Sequence, residues 1–216
     1  MTYQTILFDL DGTVTDPYLG ISKSIAYALE KMKSPALDAQ TLATFIGPPL
    51  LQSFQDICGF TEQQAHKALG YYRERFASKG LYENSVYPGI PDLLSSLKNS
   101  GKTLAIATSK PTVFAEKILH HFHLDQYFSV IVGSNLDGTR NAKNEVIHEV
   151  LSQLNGIANE SIIMIGDRKH DIIGAQKEGI QSVGVLYGYG SLEEIQQSGA
   201  TYIVEKVADI LSLLEK

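Results

Sequence analysis

The chain of 216 residues, with 44% hydrophobic and 19% charged residues, can bury one substantial core or one core with a small satellite domain. Its formal net charge of −6, with no run of Lys or Arg, argues against nucleic acid or an anionic membrane surface as the main partner. The sequence shows neither a membrane-length apolar window nor a leader-like N-terminus, so we expect a cytoplasmic protein, monomeric or homodimeric, that acts on a small molecule.

Short apolar runs recur along the sequence and predict β-strands. Most of them lack strict polar alternation, which is typical of parallel strands that are covered on both faces. The runs are Thr5–Leu10, Thr103–Thr108, Phe128–Gly133, Ser161–Gly166, Ser182–Leu186 and Thr201–Val204. From residue 91 onward, helical patterns alternate with these runs. This alternation predicts an α/β fold with a doubly wound (Rossmann-like) parallel sheet.

The connection between the first two runs breaks this alternation. It contains helical stretches such as GISKSIAYALEKMK and no convincing strand. It is also several times longer than the dozen or so residues that a crossover needs. We therefore predict an α/β core domain of residues 1–15 and 87–216, with a small inserted all-helical cap domain of residues 16–86.

Paired carboxylates end the first predicted strand, in the stretch TILFDLDGTVTD. Because side chains alternate along a strand, Asp9 and Asp11 leave it on the same side and can address one site. In open α/β sheets, ligands bind outside the carboxyl ends of the strands. The residues just past each predicted strand are therefore the candidates for function.

The next predicted strands also end in residues that suit chemistry. The second ends in Thr108-Ser109-Lys110, the third leads to Lys143 at the start of a helix, and the fourth ends in GDRKHD, which contains Asp167 and Asp171. Four carboxylates around one rim would repel each other, and a bound divalent cation removes that problem. Oxygen ligands suit Mg²⁺ better than zinc. Together with a hydroxyl and an ammonium group, such a site meets the needs of phosphoryl transfer.

These residues carry a resemblance to a known family. The stretch DLDGT at Asp9–Thr13, then Thr108, Lys143 and GDRKHD at Gly166–Asp171, resemble in order and spacing the four signature motifs of the haloacid-dehalogenase-like hydrolase superfamily. The helical insertion and the YPG at Tyr87–Gly89 resemble the branch with a small helical cap that includes phosphoglycolate phosphatases. The resemblance covers essentially the whole chain.

The resemblance implies a Mg²⁺-dependent phosphatase that acts on a small phosphorylated metabolite, with phosphoglycolate as the nominal substrate. Asp9 would be the nucleophile that becomes an aspartyl phosphate, and Asp11 would be the general acid and then the base. Thr108 would hydrogen-bond the transferring phosphoryl group, and Lys143 would neutralise its charge. True dehalogenases of the superfamily lack an acid at the position of Asp11, so this residue favours phosphate chemistry.

Further binding residues also follow from the resemblance. Asp9, the carbonyl of Asp11 and Asp167 would bind Mg²⁺, with Asp171 in support. Ser109 would join Thr108 and Lys143 in binding the substrate. Within the cap, the Gly47-Pro48-Pro49 break fixes the shape of a loop, and Gly47 and Pro48 are predicted to contact the substrate. The roles of His170, Arg140 and the basic residues of the cap stay open.

Several alternatives also stay open. A 5′-nucleotidase, a pyrophosphatase or a phosphomutase would use the same scaffold. A phospho-acceptor signalling module of the receiver type would use similar residue types but place its acidic pair and acceptor on different strands, and a catalytically idle binding scaffold is a further rival. The stretch NLDGT at Asn135–Thr139 repeats DLDGT, but Asn135 cannot be a carboxylate nucleophile, so we interpret the repeat as a turn.

Overall fold

The computed structural model describes residues 3–154 and 156–214. The ends of the predicted core domain, residues 1–2 and 215–216, and its residue 155 lie outside this part of the chain. The strands are β1 (Thr5–Phe8), β2 (Thr15–Asp16), β3 (Ser85–Val86), β4 (Thr103–Pro111), β5 (Val130–Ser134), β6 (Ile162–Gly166), β7 (Gln181–Val185) and β8 (Tyr202–Val204). The α-helices are α1 (Tyr18–Lys31), α2 (Ala39–Ala43), α3 (Leu50–Cys58), α4 (Glu62–Arg75), α5 (Ile90–Asn99), α6 (Thr112–His121), α7 (Lys143–Gln153), α8 (Lys169–Lys177), α9 (Leu192–Gln197) and α10 (Val207–Leu214).

The chain divides into two compact units. One unit comprises the described residues up to Asp16 and from Val86 onward, and the other comprises Pro17–Ser85. The second unit holds α1 to α4 and a π-helix at Phe76–Gly80, and no strand lies within residues 17–84. In this unit α1 and α3 both pack against α4, and Arg75 forms an ion pair of 2.8 Å with Glu83.

The first unit is built on a six-stranded sheet in the order β5-β4-β1-β6-β7-β8. Every neighbouring pair in it is parallel. Strand β1 lies between β4 and β6, so that Thr5 is opposite both Thr103 and Ile162. In chain order, β4 and then β5 add to one side of β1, and β6, β7 and β8 then add to its other side. This confirms the predicted doubly wound α/β fold and places the topological switch at β1, where such folds bind ligands.

Four strands end at residues other than those predicted: β5 and β7 differ by one residue, at Ser134 and Val185, and β1 and β4 differ by more. Strand β1 ends at Phe8 rather than Leu10, because the Leu10 carbonyl accepts hydrogen bonds from the backbone amides of Val14 and Thr15 and so starts a turn. Strand β4 continues to Pro111 rather than ending at Thr108. Its register shifts after Ala107, and Pro111 then pairs with Ser134 of β5. The predicted ends of β1 and β4 were wrong because the apolar pattern shows neither the turn at Leu10 nor the register shift after Ala107.

Helix α7 packs on β4 and β5 and contributes Val146, Ile147 and Val150 to the buried core. This apolar face fixes the axis of the helix, so its first residue, Lys143, lies beside the carboxyl ends of the strands. Among the described helices, none combines the length and the apolar character that a membrane crossing would need.

Candidate active site

The carboxyl ends of β1, β4 and β6 and the first turns of α7 and α8 bring six of the predicted core residues together in buried positions. They are Asp9, Asp11, Thr108, Lys143, Asp167 and Asp171. Ser109 is half-buried, and its carbonyl accepts a hydrogen bond of 2.8 Å from the Ser134 hydroxyl. The Thr108 hydroxyl accepts one of 3.2 Å from the backbone amide of Lys110.

Lys143 is the cationic centre of this cluster. Its Nζ lies 2.9 Å from Asp9 Oδ1 and 2.7 Å from Asp171 Oδ1, and it donates a hydrogen bond of 3.0 Å to the Ala107 carbonyl. Burial alone would lower the pKa of Lys143, but the carboxylates of Asp171 and Asp9 raise it above its ordinary value. The ammonium group is therefore charged throughout the physiological range and holds Asp9 in place.

Asp9, Asp167 and Asp171 form a candidate metal centre. Each offers one carboxylate oxygen, and these three oxygens lie within 4.8 Å of one another. Burial, together with the negative charges of Asp171 and Asp9, raises the pKa of Asp167 well above its ordinary value. Burial likewise raises the pKa of Asp171 to about 6, although Lys143 opposes this shift.

The charge balance of this cluster fits a divalent cation. When all three carboxylates are ionised, one ammonium group leaves two uncompensated negative charges in a buried place. All the donors are carboxylate oxygens, which are the ligands that Mg²⁺ prefers in proteins. Asp9, Asp167 and Asp171 are thus the residues that would hold Mg²⁺. The carboxylate of Asp11 lies outside this set, and the part assigned to its carbonyl stays a prediction.

Asp11 has a cation of its own. Lys110 Nζ lies 2.7 Å from Asp11 Oδ2, while the buried Oδ1 has no hydrogen-bond partner among the described residues. Burial raises the pKa of Asp11, and Lys110 opposes that shift. A cation near Thr108 was predicted from the sequence, but no role for Lys110 was. Its position at the end of the second predicted strand was the available signal.

Two further contacts of Asp167 were not predicted from the sequence. The Thr13 hydroxyl donates a hydrogen bond of 3.2 Å to Asp167 Oδ1, and the backbone amide of Tyr189 donates one of 2.8 Å to Oδ2. Gly12 approaches so closely that a Cβ at this position would lie 2.2 Å from Asp167 Oδ2. Thr13 is the last residue of the DLDGT motif and Tyr189 follows β7, so the position of each near a strand end was the available signal.

The remaining candidates belong to other segments of the chain. Gly47 and Pro48 belong to the second unit, between α2 and α3, and their contact with the substrate stays a prediction. The stretch Asn135–Thr139 forms a turn, in which the backbone amide of Asn135 donates a hydrogen bond of 3.0 Å to the Thr139 carbonyl. Arg140 donates one of 3.0 Å to the Gly133 carbonyl. These contacts give the repeated motif and its neighbour a structural role.

A family model described as haloacid dehalogenase-like hydrolase matches residues 6–185 of the chain. A crystal structure of a predicted phosphatase from Clostridium acetobutylicum superposes with a TM-score of 0.96 at 49% identity and covers 100% of both chains. This match extends the likeness from the motifs to the whole fold.

Curated relatives carry several different names. A 5′-nucleotidase of Pseudomonas aeruginosa is 47% identical over 100% of this chain and 97% of that one. A tyrosine-protein kinase PtkA of Mycobacterium tuberculosis is 38% identical over 98% of this chain and 72% of that one. A phosphoglycolate phosphatase of Colwellia psychrerythraea is 28% identical over 99% of this chain and 97% of that one.

Proposed function

The chain belongs to the haloacid dehalogenase-like hydrolase family and is a phosphatase, and we propose that it hydrolyses a small phosphomonoester through an aspartyl phosphate on Asp9, with Mg²⁺ as cofactor. One observation carries this proposal. The two carboxylates that follow β1 have different cationic partners: Asp9 is held by Lys143, and Asp11 by Lys110. Two carboxylates in different surroundings can take the two different roles that the reaction requires.

In the first step, Asp9 attacks the phosphorus atom and the bond to the ester oxygen breaks. Asp9 Oδ1 is held by Lys143 and by the backbone amide of Leu10, at 2.8 Å, so we assign the attack to Oδ2. Asp11 gives its proton to the leaving oxygen, and its Oδ1, for which the described residues offer no hydrogen-bond partner, is the atom suited to this transfer. The raised pKa of Asp11 favours the protonated form that this step needs.

In the second step, the ionised Asp11 takes a proton from water, and the resulting hydroxide attacks the phosphorus atom of the aspartyl phosphate. The bond between phosphorus and Asp9 breaks, which releases inorganic phosphate, restores the Asp9 carboxylate and leaves Asp11 protonated for the next cycle. Lys143 holds Asp9 throughout. When bound, Mg²⁺ supplies positive charge to the phosphoryl oxygens, and it offsets the repulsion among Asp9, Asp167 and Asp171.

For the substrate class, we propose a nucleoside 5′-monophosphate first and phosphoglycolate second. The order follows the relatives, because the one named 5′-nucleotidase is 47% identical and the one named phosphoglycolate phosphatase is 28% identical. Residues 16–86 would act as a cap, and Gly47 and Pro48 would contact the substrate. A cytoplasmic location rests on the sequence alone.

The test is phosphate release with Mg²⁺ from a panel of nucleoside monophosphates, phosphoglycolate, sugar phosphates and pyrophosphate. Asp9→Asn is the matched variant, because the amide is nearly isosteric but cannot attack. Release from one ester class that Asp9→Asn abolishes supports the proposal. Release that survives in Asp9→Asn contradicts the role of Asp9, and isomerisation of a sugar phosphate without release indicates a mutase.

The relative named tyrosine-protein kinase favours one second candidate, which is phosphoryl transfer from a nucleoside triphosphate to a protein hydroxyl group. ATP labelled at its γ-phosphate separates the two. Label recovered as inorganic phosphate indicates hydrolysis, whereas label recovered on protein tyrosine indicates transfer.

A further inference from the structure

The stretch Tyr187–Gly190 follows β7, and we call it the YGYG loop. Hydrogen bonds join it to the turn after β1. The Tyr187 hydroxyl donates a hydrogen bond of 3.0 Å to the Thr13 carbonyl. The Tyr189 hydroxyl donates another to Asp16. The Tyr187 ring packs edge-to-face on Tyr87, with 5.0 Å between ring centroids. Two hydroxyl groups and one ring contact therefore fix a loop that has no regular secondary structure of its own.

Asp167 lies between this loop and the turn. Its Oδ1 accepts a hydrogen bond from the Thr13 hydroxyl, and its Oδ2 accepts one from the backbone amide of Tyr189. Each carboxylate oxygen thus has one donor from the protein, and a carboxylate oxygen can accept more than one contact. One donor on each oxygen restricts the orientation of the Asp167 carboxylate. The hydrogen bonds that the Tyr187 and Tyr189 hydroxyl groups donate in turn hold Thr13 and Tyr189 in place.

The two glycines of the loop allow it to come this close. A Cβ on Gly188 would lie 2.4 Å from the Cβ of Asp167. A Cβ on Gly190 would lie 1.9 Å from the Asp167 carbonyl oxygen. Both distances are far below van der Waals contact, so any larger residue would push the loop away from Asp167. The alternation of tyrosine and glycine therefore combines anchoring with close approach.

We propose that the YGYG loop is a positioning element that holds the Asp167 carboxylate in the orientation needed to bind Mg²⁺. The proposal rests on the proposed function, because it concerns the metal of that reaction. Tyr187 and Tyr189 are positioning residues, which act through Thr13, Asp16 and Asp167. Groups that orient metal ligands in this way commonly change metal affinity by about 10- to 100-fold when they are removed.

The test measures Mg²⁺ binding without substrate. Tyr187→Phe, Tyr189→Phe and the double variant remove the hydroxyl bonds but keep the rings and the Tyr189 amide. Titration calorimetry should show the Mg²⁺ dissociation constant rising about tenfold in the double variant. The activity of this variant should return towards that of the wild type at saturating Mg²⁺. Gly188→Ala should weaken binding further, because its methyl group displaces the loop.

Two controls separate positioning from general destabilisation. Tyr127→Phe removes a tyrosine hydroxyl from the segment before β5, and Gly70→Ala adds a methyl group where nothing lies within 4 Å. Neither should change the dissociation constant. If Gly188→Ala does not fold, the Tyr→Phe variants decide the matter, since they keep the rings and the backbone contact.

The outcomes also separate this inference from the proposed function. Mg²⁺ binding that is equal in the wild type and the double variant overturns the positioning role alone. A wild-type protein that binds no Mg²⁺ overturns both. A wild-type protein that binds Mg²⁺ but hydrolyses no ester overturns the proposed function, while a loss of affinity in the double variant would still support the positioning role.

Discussion

Lys110 Nζ lies 2.7 Å from Asp11 Oδ2, and both side chains are almost entirely shielded from solvent. The two oxygens of Asp11 have different surroundings. Oδ2 contacts the Lys110 ammonium group, and Oδ1 has no hydrogen-bond partner in the described part of the chain. A buried ion pair costs much free energy when one partner is removed, because the other charge is then left unpaired. Lys110 is therefore expected to matter for both folding and catalysis.

The first prediction concerns Lys110→Met. The free energy of unfolding should fall by about 3 kcal/mol or more, because Asp11 loses its buried partner. The turnover number should also fall, since Oδ2 is no longer fixed. Urea unfolding of the single variants, and of the double variant Lys110→Met/Asp11→Asn, measures the coupling, which we expect to be about 2 kcal/mol. Strictly additive losses would mean that the pair does not act as a unit.

The second prediction concerns the acid role of Asp11. In Asp11→Asn, esters with poor leaving groups should lose far more turnover than esters with good ones, because only a poor leaving group needs a proton as the bond to phosphorus breaks. The measurement is a comparison of alkyl and nitrophenyl phosphates with the wild type and the variant. An equal loss for both ester classes would show that Asp11 does not serve as the acid.

The fold class and the strand-end carboxylates could be predicted because their signals are local. Apolar runs mark buried parallel strands; Asp9 lies near the end of the first such run, and Asp167 directly follows another. Lys143 could be placed because it opens a helical pattern. Each of these residues was found from its immediate neighbours in the sequence.

The contacts that complete the site could not be predicted in this way, because their partners are distant in sequence. Thr13 and Asp167 are 154 positions apart, and the bond between them depends on β1 pairing with β6. The choice of Lys110 as the partner of Asp11 depends on the register shift near the end of β4. Such pairings follow from strand order and register, which the apolar pattern does not specify.

The third prediction concerns Lys143→Met. This change leaves Asp9 and Asp171 without their shared cation, so the metal-free protein should be less stable by about 3 to 5 kcal/mol. Mg²⁺ should recover part of this loss, because it also offsets the carboxylate charges. Turnover should fall by about 100-fold or more, the scale seen when a group that stabilises transition-state charge is removed.

Thermal unfolding with and without Mg²⁺, together with steady-state kinetics, checks the prediction for Lys143→Met. The matched control is Lys117→Met, which removes an exposed lysine from α6 and should leave stability and turnover almost unchanged. If Lys143→Met behaved like this control, Lys143 would have no electrostatic role in the site.

The last prediction concerns pH and rests on the raised pKa of Asp171, which burial brings to about 6 from its ordinary 3.8. Between these two values the folded protein keeps a proton that the unfolded chain releases. The contribution of Asp171 to stability is therefore fully present below about pH 4 and is lost as the pH rises through 6. A pKa raised from 3.8 to about 6 corresponds to a change in the free energy of unfolding on the order of 3 kcal/mol.

Unfolding of the metal-free protein from pH 4 to pH 7.5 checks this prediction about Asp171. The wild type should lose stability relative to Asp171→Asn as the pH rises, because the variant has no group to titrate at this position. Added Mg²⁺ should restore the wild type near neutral pH, since the cation favours the ionised carboxylate. Asp92→Asn, at an exposed position of α5, should follow the wild-type profile. Parallel profiles for the wild type and Asp171→Asn would show that Asp171 does not bind its proton in the folded state.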